Sequence, residues 1–254
     1  MLEIGAQLYT VRMYCQNERD LGRTLEKVAG IGYKTVQLSG LGNIAPKRVK
    51  ALCDENGLRI VLTHNPEQRF LENVDGLIEE HLLYGCKYVG LGAMSDRYRR
   101  AEWADYFARD METPARRLRD AGLTFMYHHH NFEFGRLPEG GTIMDRLLSA
   151  LPAELMGVTA ETDWLQMGGV NAEQGLEDHA DRLHCVHFKD FVPVDFSVRM
   201  AAVGQGNMDF AKMLETLRQN GVTEYVLVEQ DDCYGQSPFD CLKQSYDHLK
   251  KLGC

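Results

Sequence analysis

No two cysteines of this chain stand in a C-x-x-C pair. The seven, at 15, 53, 86, 185, 233, 241 and 254, are odd in number and scattered. That spacing excludes the usual zinc-thiolate arrangement and points to free thiols in a reducing compartment. Equally missing is any apolar stretch near the ~20 residues needed to span a bilayer. The start, Met1-Leu2-Glu3-Ile4-Gly5, has no basic region followed by an apolar one and runs straight into a strand pattern. The expected setting is cytoplasmic, with no membrane partner. Basic residues are in deficit, 28 Lys and Arg against 37 Asp and Glu, for a net charge of −9. A polyanion such as nucleic acid would want a basic face, so none is expected as a partner. A small anionic substrate is not excluded by this balance.

Also missing is a G-x-G-x-x-G turn after the first strand pattern, where Thr10-Val11-Arg12-Met13 stands instead. A dinucleotide-binding open sheet would place one there. What is present is alternation. Strand patterns at Ile4–Tyr9, Thr35–Leu38, Arg59–Thr63, Tyr88–Leu91, Thr124–His128, Gly157–Glu161, His184–Phe188 and Tyr225–Glu229 are each followed by a helical pattern. Leu71, Val74, Leu77, Ile78 and Leu82 form one such stripe. Pro46 opens another helix and Gly57 lies just past its end, the usual asymmetry of helix termini. Strict β-α alternation gives a parallel sheet. Eight units in 254 residues match a closed (β/α)8 TIM barrel, which typically takes about 250. The whole chain, 1–254, is read as one such domain.

A barrel of this kind builds its site where its strands end. The third pattern ends in Thr63-His64-Asn65, and the fifth runs into Tyr127-His128-His129-His130-Asn131-Phe132-Glu133. The sixth ends in Glu161-Thr162-Asp163-Trp164, the seventh in His187-Phe188-Lys189-Asp190, the eighth in Glu229-Gln230-Asp231-Asp232. Carboxylates gathered at one mouth stay ionised together only around a cation. With histidine among them, one divalent ion is expected: Mn²⁺, Zn²⁺, Co²⁺ or Mg²⁺. Side chains alternate along a strand, so His128 and His130 share a face while His129 does not. A charge at Glu229, closing the apolar run Tyr225–Val228, must face the mouth or meet a large burial penalty. The Asp231-Asp232 pair reads as a solvated loop. Gly204-Gln205-Gly206 either turns the chain or offers backbone N–H groups to an anion at the next helix.

Four segments, Tyr127–Phe134, His187-Phe-Lys-Asp190, Val203-Gly-Gln-Gly-Asn-Met-Asp-Phe210 and Val228-Glu-Gln-Asp231, together resemble the sugar phosphate isomerase/epimerase family. This is the xylose-isomerase-like TIM-barrel group that also holds tagatose epimerases, inosose dehydratase and endonuclease IV. The resemblance covers nearly the whole chain. It implies a metal held by Glu133, an acid after strand six, His187 and Glu229. Counted from Trp164 and Gly168-Gly169, that acid is Glu161, where the family usually has Asp. Asp163 shares the strand face and is the alternative ligand, or else a substrate contact. His129 stands where the family's loop has Asn, and Gln37 where many relatives carry Glu.

The same resemblance implies proton transfer beside a carbonyl by two metal-bound glutamates, here Glu133 and Glu229. Arg199 resembles an arginine that reaches substrate oxygens, while His64, His128, His130 and Lys189 are left to bind hydroxyls or supply an acid. The expected activity is a metal-dependent isomerase or epimerase of a small sugar or keto-sugar, phosphorylated or not. A metal-dependent lyase or dehydratase of a keto-sugar or keto-inositol is the alternative. A DNA-repair endonuclease would want a histidine soon after the strand-six acid, where Trp164-Leu165-Gln166 stands. A sugar-binding barrel without turnover is a further rival, and a homo-oligomer is allowed for.

Overall fold

A computed structural model describes residues 2–254, with the side chains of 101 and 102 outside the description. The barrel strands are β1 (Glu3–Gln7), β2 (Thr35–Leu38), β3 (Arg59–Asn65), β4 (Tyr88–Leu91), β5 (Thr124–His128), β6 (Met156–Glu161), β7 (Cys185–Phe188) and β10 (Tyr225–Val228). They pair in parallel and close in the order β1-β10-β7-β6-β5-β4-β3-β2. Between β7 and β10 lies an antiparallel hairpin, β8 (Asp190–Val194) and β9 (Ser197–Ala201), which forms a two-stranded sheet of its own. The helices are α1 (Glu18–Ile31), α2 (Pro46–Glu55), α3 (Glu67–Glu72), α4 (Val74–Tyr84), α5 (Ala101–Asp120), α6 (Ile143–Ala150), α7 (Thr162–Met167), α8 (Ala172–Asp178), α9 (Phe210–Asn220) and α10 (Pro238–Lys251).

Period-two alternation sorts each strand into two sets. One set, including Val36, Val89, Phe125, Val158, Val186, Phe188, Val226 and Val228, packs into the large core shared with the helices. The other points down the barrel axis. Leu62, Tyr88, Met126, Cys185 and Leu227 form a separate buried cluster there. This interior is filled with side chains, as small barrels require. Two residues further along β3, β4, β5, β7 and β10 stand His64, Gly90, His128, His187 and Glu229. The site is therefore the polar layer resting on an apolar one. Gly90 belongs to that layer because a Cβ there would meet the Thr63 carbonyl at 2.3 Å and the His64 ring at 3.2 Å. Its bareness makes room for the imidazole.

The strand expectations hold with small shifts at the ends. Strand one stops at Gln7, and Leu8–Tyr14 winds as a 3₁₀ segment capped by the Gln7 side chain. Two helices follow β6, and the first, α7, begins immediately after Glu161. All seven cysteines are unbridged, and burial pushes the Cys15, Cys53 and Cys86 thiols up to about 12. Among the described residues no helix is long and apolar enough to cross a membrane.

Candidate metal centre and cavity

Four strand ends deliver four side chains to one point. His128 closes β5, Glu161 closes β6, His187 lies in β7 and Glu229 follows β10. All are buried, and one ligand atom from each lies within 4.8 Å of the others. Register explains the meeting, since Glu161 pairs directly with His187 across β6 and β7.

Each of the two imidazoles is oriented by an outer partner. His128 Nδ1 is 3.0 Å from the Gly92 carbonyl, and a carbonyl only accepts. Nδ1 therefore donates there, and Nε2 is the nitrogen turned to Glu161 Oε2 at the centre. His187 Nε2 is 2.7 Å from Gln37 Oε1, so it donates outward and turns Nδ1 toward the centre. Such outer partners fix the tautomer of metal-binding histidines. His187 Nδ1 lies 2.9 Å from Glu229 Oε2, yet both atoms lack a hydrogen bond. Their close approach without hydrogen-bond alignment is what two donors aimed at a shared cation produce. The residues present thus fit a divalent ion with two nitrogens and two oxygens. Two imidazoles favour Mn²⁺, Co²⁺ or Zn²⁺ over the oxygen-seeking Mg²⁺.

Charge around the group is nearly balanced. Burial alone would raise the Glu161 carboxyl, but the Lys189 ammonium and the imidazoles outweigh it and hold it well below the usual range. Lys189 is buried and donates to Glu161 Oε1 and to Asp231 Oδ2, the latter at 2.6 Å. Burial disfavours its charge, yet the surrounding carboxylates keep it protonated well above the ordinary lysine range. Burial also works against a charge on His187, but Glu229 and Glu161 push it up to about 9. A divalent ion at Nδ1 therefore competes with a proton at neutral pH.

Above the centre opens a cavity of about 1160 Å³, bordered by His64, His128, His130, Glu161, Lys189 and Glu229. Trp164 and Asp231 border it too, and Asn65, Glu67 and Arg97 form an outer wall. His64 Nε2 and His130 Nδ1 are buried without hydrogen-bond partners. Burial lowers both imidazoles, His130 to about 3, so both are neutral at physiological pH. They are free acceptors or donors for a hydroxylated ligand.

The structure brings Glu161, His187 and Glu229 together and places His64, His130 and Lys189 on the cavity. Four of the expected residues are placed differently. Glu133 is not in the ligand group; His128 is, rather than serving only as a substrate contact. After β5 the chain leaves extended geometry and turns through a 3₁₀ segment at Phe132–Phe134. Glu133 is folded beneath the loop, accepting from Tyr127 Oη at 2.7 Å and from the His130 N–H at 2.9 Å. It props up the loop that carries His130. Asp163 is neither ligand nor cavity wall. It lies in the first turn of α7, wholly buried, with neither oxygen accepting a hydrogen bond. Burial and the Glu161 charge raise its carboxyl well above the ordinary range, so it sits there as the neutral acid. Arg199 lies on β9 of the outlying hairpin, exposed, its guanidinium 5.4 Å from the centre of the Tyr234 ring. It does not border the cavity.

Sequence reasoning noted Gln37 only as a departure from the family's Glu and gave it no role, although an uncharged amide among inward-facing strand ends is a signal for a histidine partner. It also read Asp231 as solvated, where it is an ion partner of Lys189.

A family model described as xylose isomerase-like TIM barrel matches residues 25–252. Inosose dehydratase of Lacticaseibacillus casei is 21% identical over 265 aligned positions, covering 89% of this chain and 88% of that one. Rhizopine catabolism protein MocC of Rhizobium meliloti is 25% identical over 172 residues, 61% of this chain and about half (51%) of that protein. Among solved structures, a sugar phosphate isomerase/epimerase from Parabacteroides distasonis superposes with a TM-score of 0.81 at 22% identity, over 99% of this chain and 98% of that one. An L-ribulose 3-epimerase does so with a TM-score of 0.76 at 13% identity, over 99% and 94%.

Proposed function

Because this chain belongs to the xylose isomerase-like TIM-barrel family, we propose that it is a metal-dependent enzyme moving a proton at a carbon beside the carbonyl of a small polyhydroxy ketone. Isomerisation or epimerisation is the primary outcome. The observation carrying this reading is the His128–Glu161–His187–Glu229 group, with each imidazole turned to the shared point by an outer hydrogen bond, on the floor of a polar cavity. A divalent ion there supplies Lewis-acid polarisation of the carbonyl, worth several kcal/mol.

The chain's own groups do the rest. Glu229 borders the cavity, and its carboxyl is held below the ordinary range: burial and the Glu161 charge would raise it, but His187 and Lys189 outweigh them. It is ionised at neutral pH and is the proposed base. A positioned base contributes about 10²–10⁴-fold. His64 and His130, neutral and unpartnered, hold hydroxyls. Glu229 gives the proton it has taken back to the neighbouring carbon in an isomerisation. In an epimerisation a water in the cavity supplies it from the opposite face, Glu229 releasing its own to solvent. Lys189 keeps Glu161 ionised.

A second reading, dehydration of a keto-inositol or keto-sugar, is favoured by the inosose dehydratase match over most of both chains. It begins with the same proton abstraction. The test is exchange of the carbon-bound proton with D₂O, followed by NMR on the Mn²⁺-loaded protein, with mass spectrometry of the product. Retained mass gives an isomer; loss of water gives the dehydratase. Glu229→Gln should abolish exchange while leaving the far-ultraviolet circular dichroism unchanged. Full exchange in that variant would remove Glu229 from the role.

A further inference from the structure

TIM barrels that take phosphorylated substrates commonly hold the phosphate on backbone N–H groups of the loops after the last strands and at a nearby helix N-terminus. The corresponding loop here, 203–209 before α9, is already bound to an anion, and the anion is the protein's own. The buried carboxylate of Asp190 accepts from Gly204 N at 3.0 Å, Gly206 N at 2.8 Å and Met208 N at 3.2 Å, and from Phe191 N at 2.8 Å. The space is closed as well as satisfied: a Cβ on Gly206 would meet Asp190 Oδ1 at 2.3 Å. The first turn of α9 has its own cap, Asp209 accepting from Lys212 N.

The cavity wall repeats the pattern. Its two long cations are committed to carboxylates, Lys189 to Glu161 and Asp231, and Arg97 to Glu67 at 2.7 Å. Glu72 and Asp96 add further acid to the outer wall. A dianionic phosphoester entering here meets carboxylates, and the loop N–H groups that could hold it are already taken, whereas hydroxyls find His64 Nε2 and His130 Nδ1.

Resting on the reaction proposed above, we propose that this cavity selects an unphosphorylated, uncharged polyhydroxy ketone and rejects its phosphate esters. The substrate then comes from a reaction that oxidises a free polyol or frees a ketose, rather than from a kinase.

The experiment pairs D-fructose with D-fructose 6-phosphate and D-ribulose with D-ribulose 5-phosphate, and adds 2-keto-myo-inositol, on the Mn²⁺-loaded full chain. Binding is read by saturation-transfer NMR and turnover by proton–deuteron exchange. Like-charge contact costs several kcal/mol, so the phosphate esters should bind more than about tenfold more weakly than their free partners. Equal or tighter binding of an ester, or binding by none of the uncharged ketones, overturns the inference. Selective binding of the free ketones with no exchange in any of them would uphold it and instead defeat the reaction.

Discussion

Gln37 decides which nitrogen of His187 faces the metal centre. Its Oε1 takes the Nε2 proton at 2.7 Å, and nothing else in the ring's surroundings is shown to do so. Gln37→Leu should therefore weaken divalent-metal binding by about 10–100-fold, the usual cost of losing an outer partner, as read by calorimetric titration with Mn²⁺. The variant should keep the wild-type circular dichroism, because the lost bond lies inside the polar layer. At this scale much of the centre was legible. His187, Glu161 and Glu229 stand where β-type runs end, and a strand end in a barrel is where chemistry collects. Glu133 lies beneath its loop rather than in the group, because a resemblance in sequence order carries no backbone path. Applying the strand-end rule to β5 would have chosen His128, its last residue, over a glutamate five positions downstream beyond a 3₁₀ turn.

Among the elements, the eight barrel strands followed from apolar runs punctuated by helical stripes, but the β8–β9 hairpin did not. Its residues include exposed Phe196 and Val198 and show no core-facing alternation. Nothing in a periodicity argument marks such a pair, and Arg199, which the resemblance brings to substrate oxygens, lies on this outlying ribbon. The hairpin is tied to the barrel through Asp190, its first residue. Asp190→Ala would leave the 204, 206 and 208 N–H groups without their acceptor. The expected loss of stability is about 3 kcal/mol or more, given what charge-assisted hydrogen bonds contribute. Urea unfolding measures it, and hydrogen exchange should show amides 204–208 losing protection first.

On the scale of the whole molecule, stability should depend on pH through histidines buried as neutral rings. His81 projects from α4 onto β3, with Nδ1 2.7 Å from the Leu77 carbonyl and Nε2 2.7 Å from Thr63 Oγ1. Burial lowers its pKa below the ordinary value of 6.5. Below pH 6.5 the unfolded chain binds a proton that the folded chain refuses, so stability is full above that pH and declines as pH falls toward the folded value. His81→Gln should flatten the decline in denaturant midpoint between pH 6.5 and 5. An unchanged slope would show that this ring titrates alike in both states.

The apolar layer of Leu62, Tyr88, Met126, Cys185 and Leu227 also governs traffic. With the barrel stoppered from below, whatever enters must leave by the same doorway, and a departing molecule bars the next from arriving. Steady-state kinetics should accordingly show product inhibition that excess substrate relieves completely, with apparent KM rising and kcat untouched.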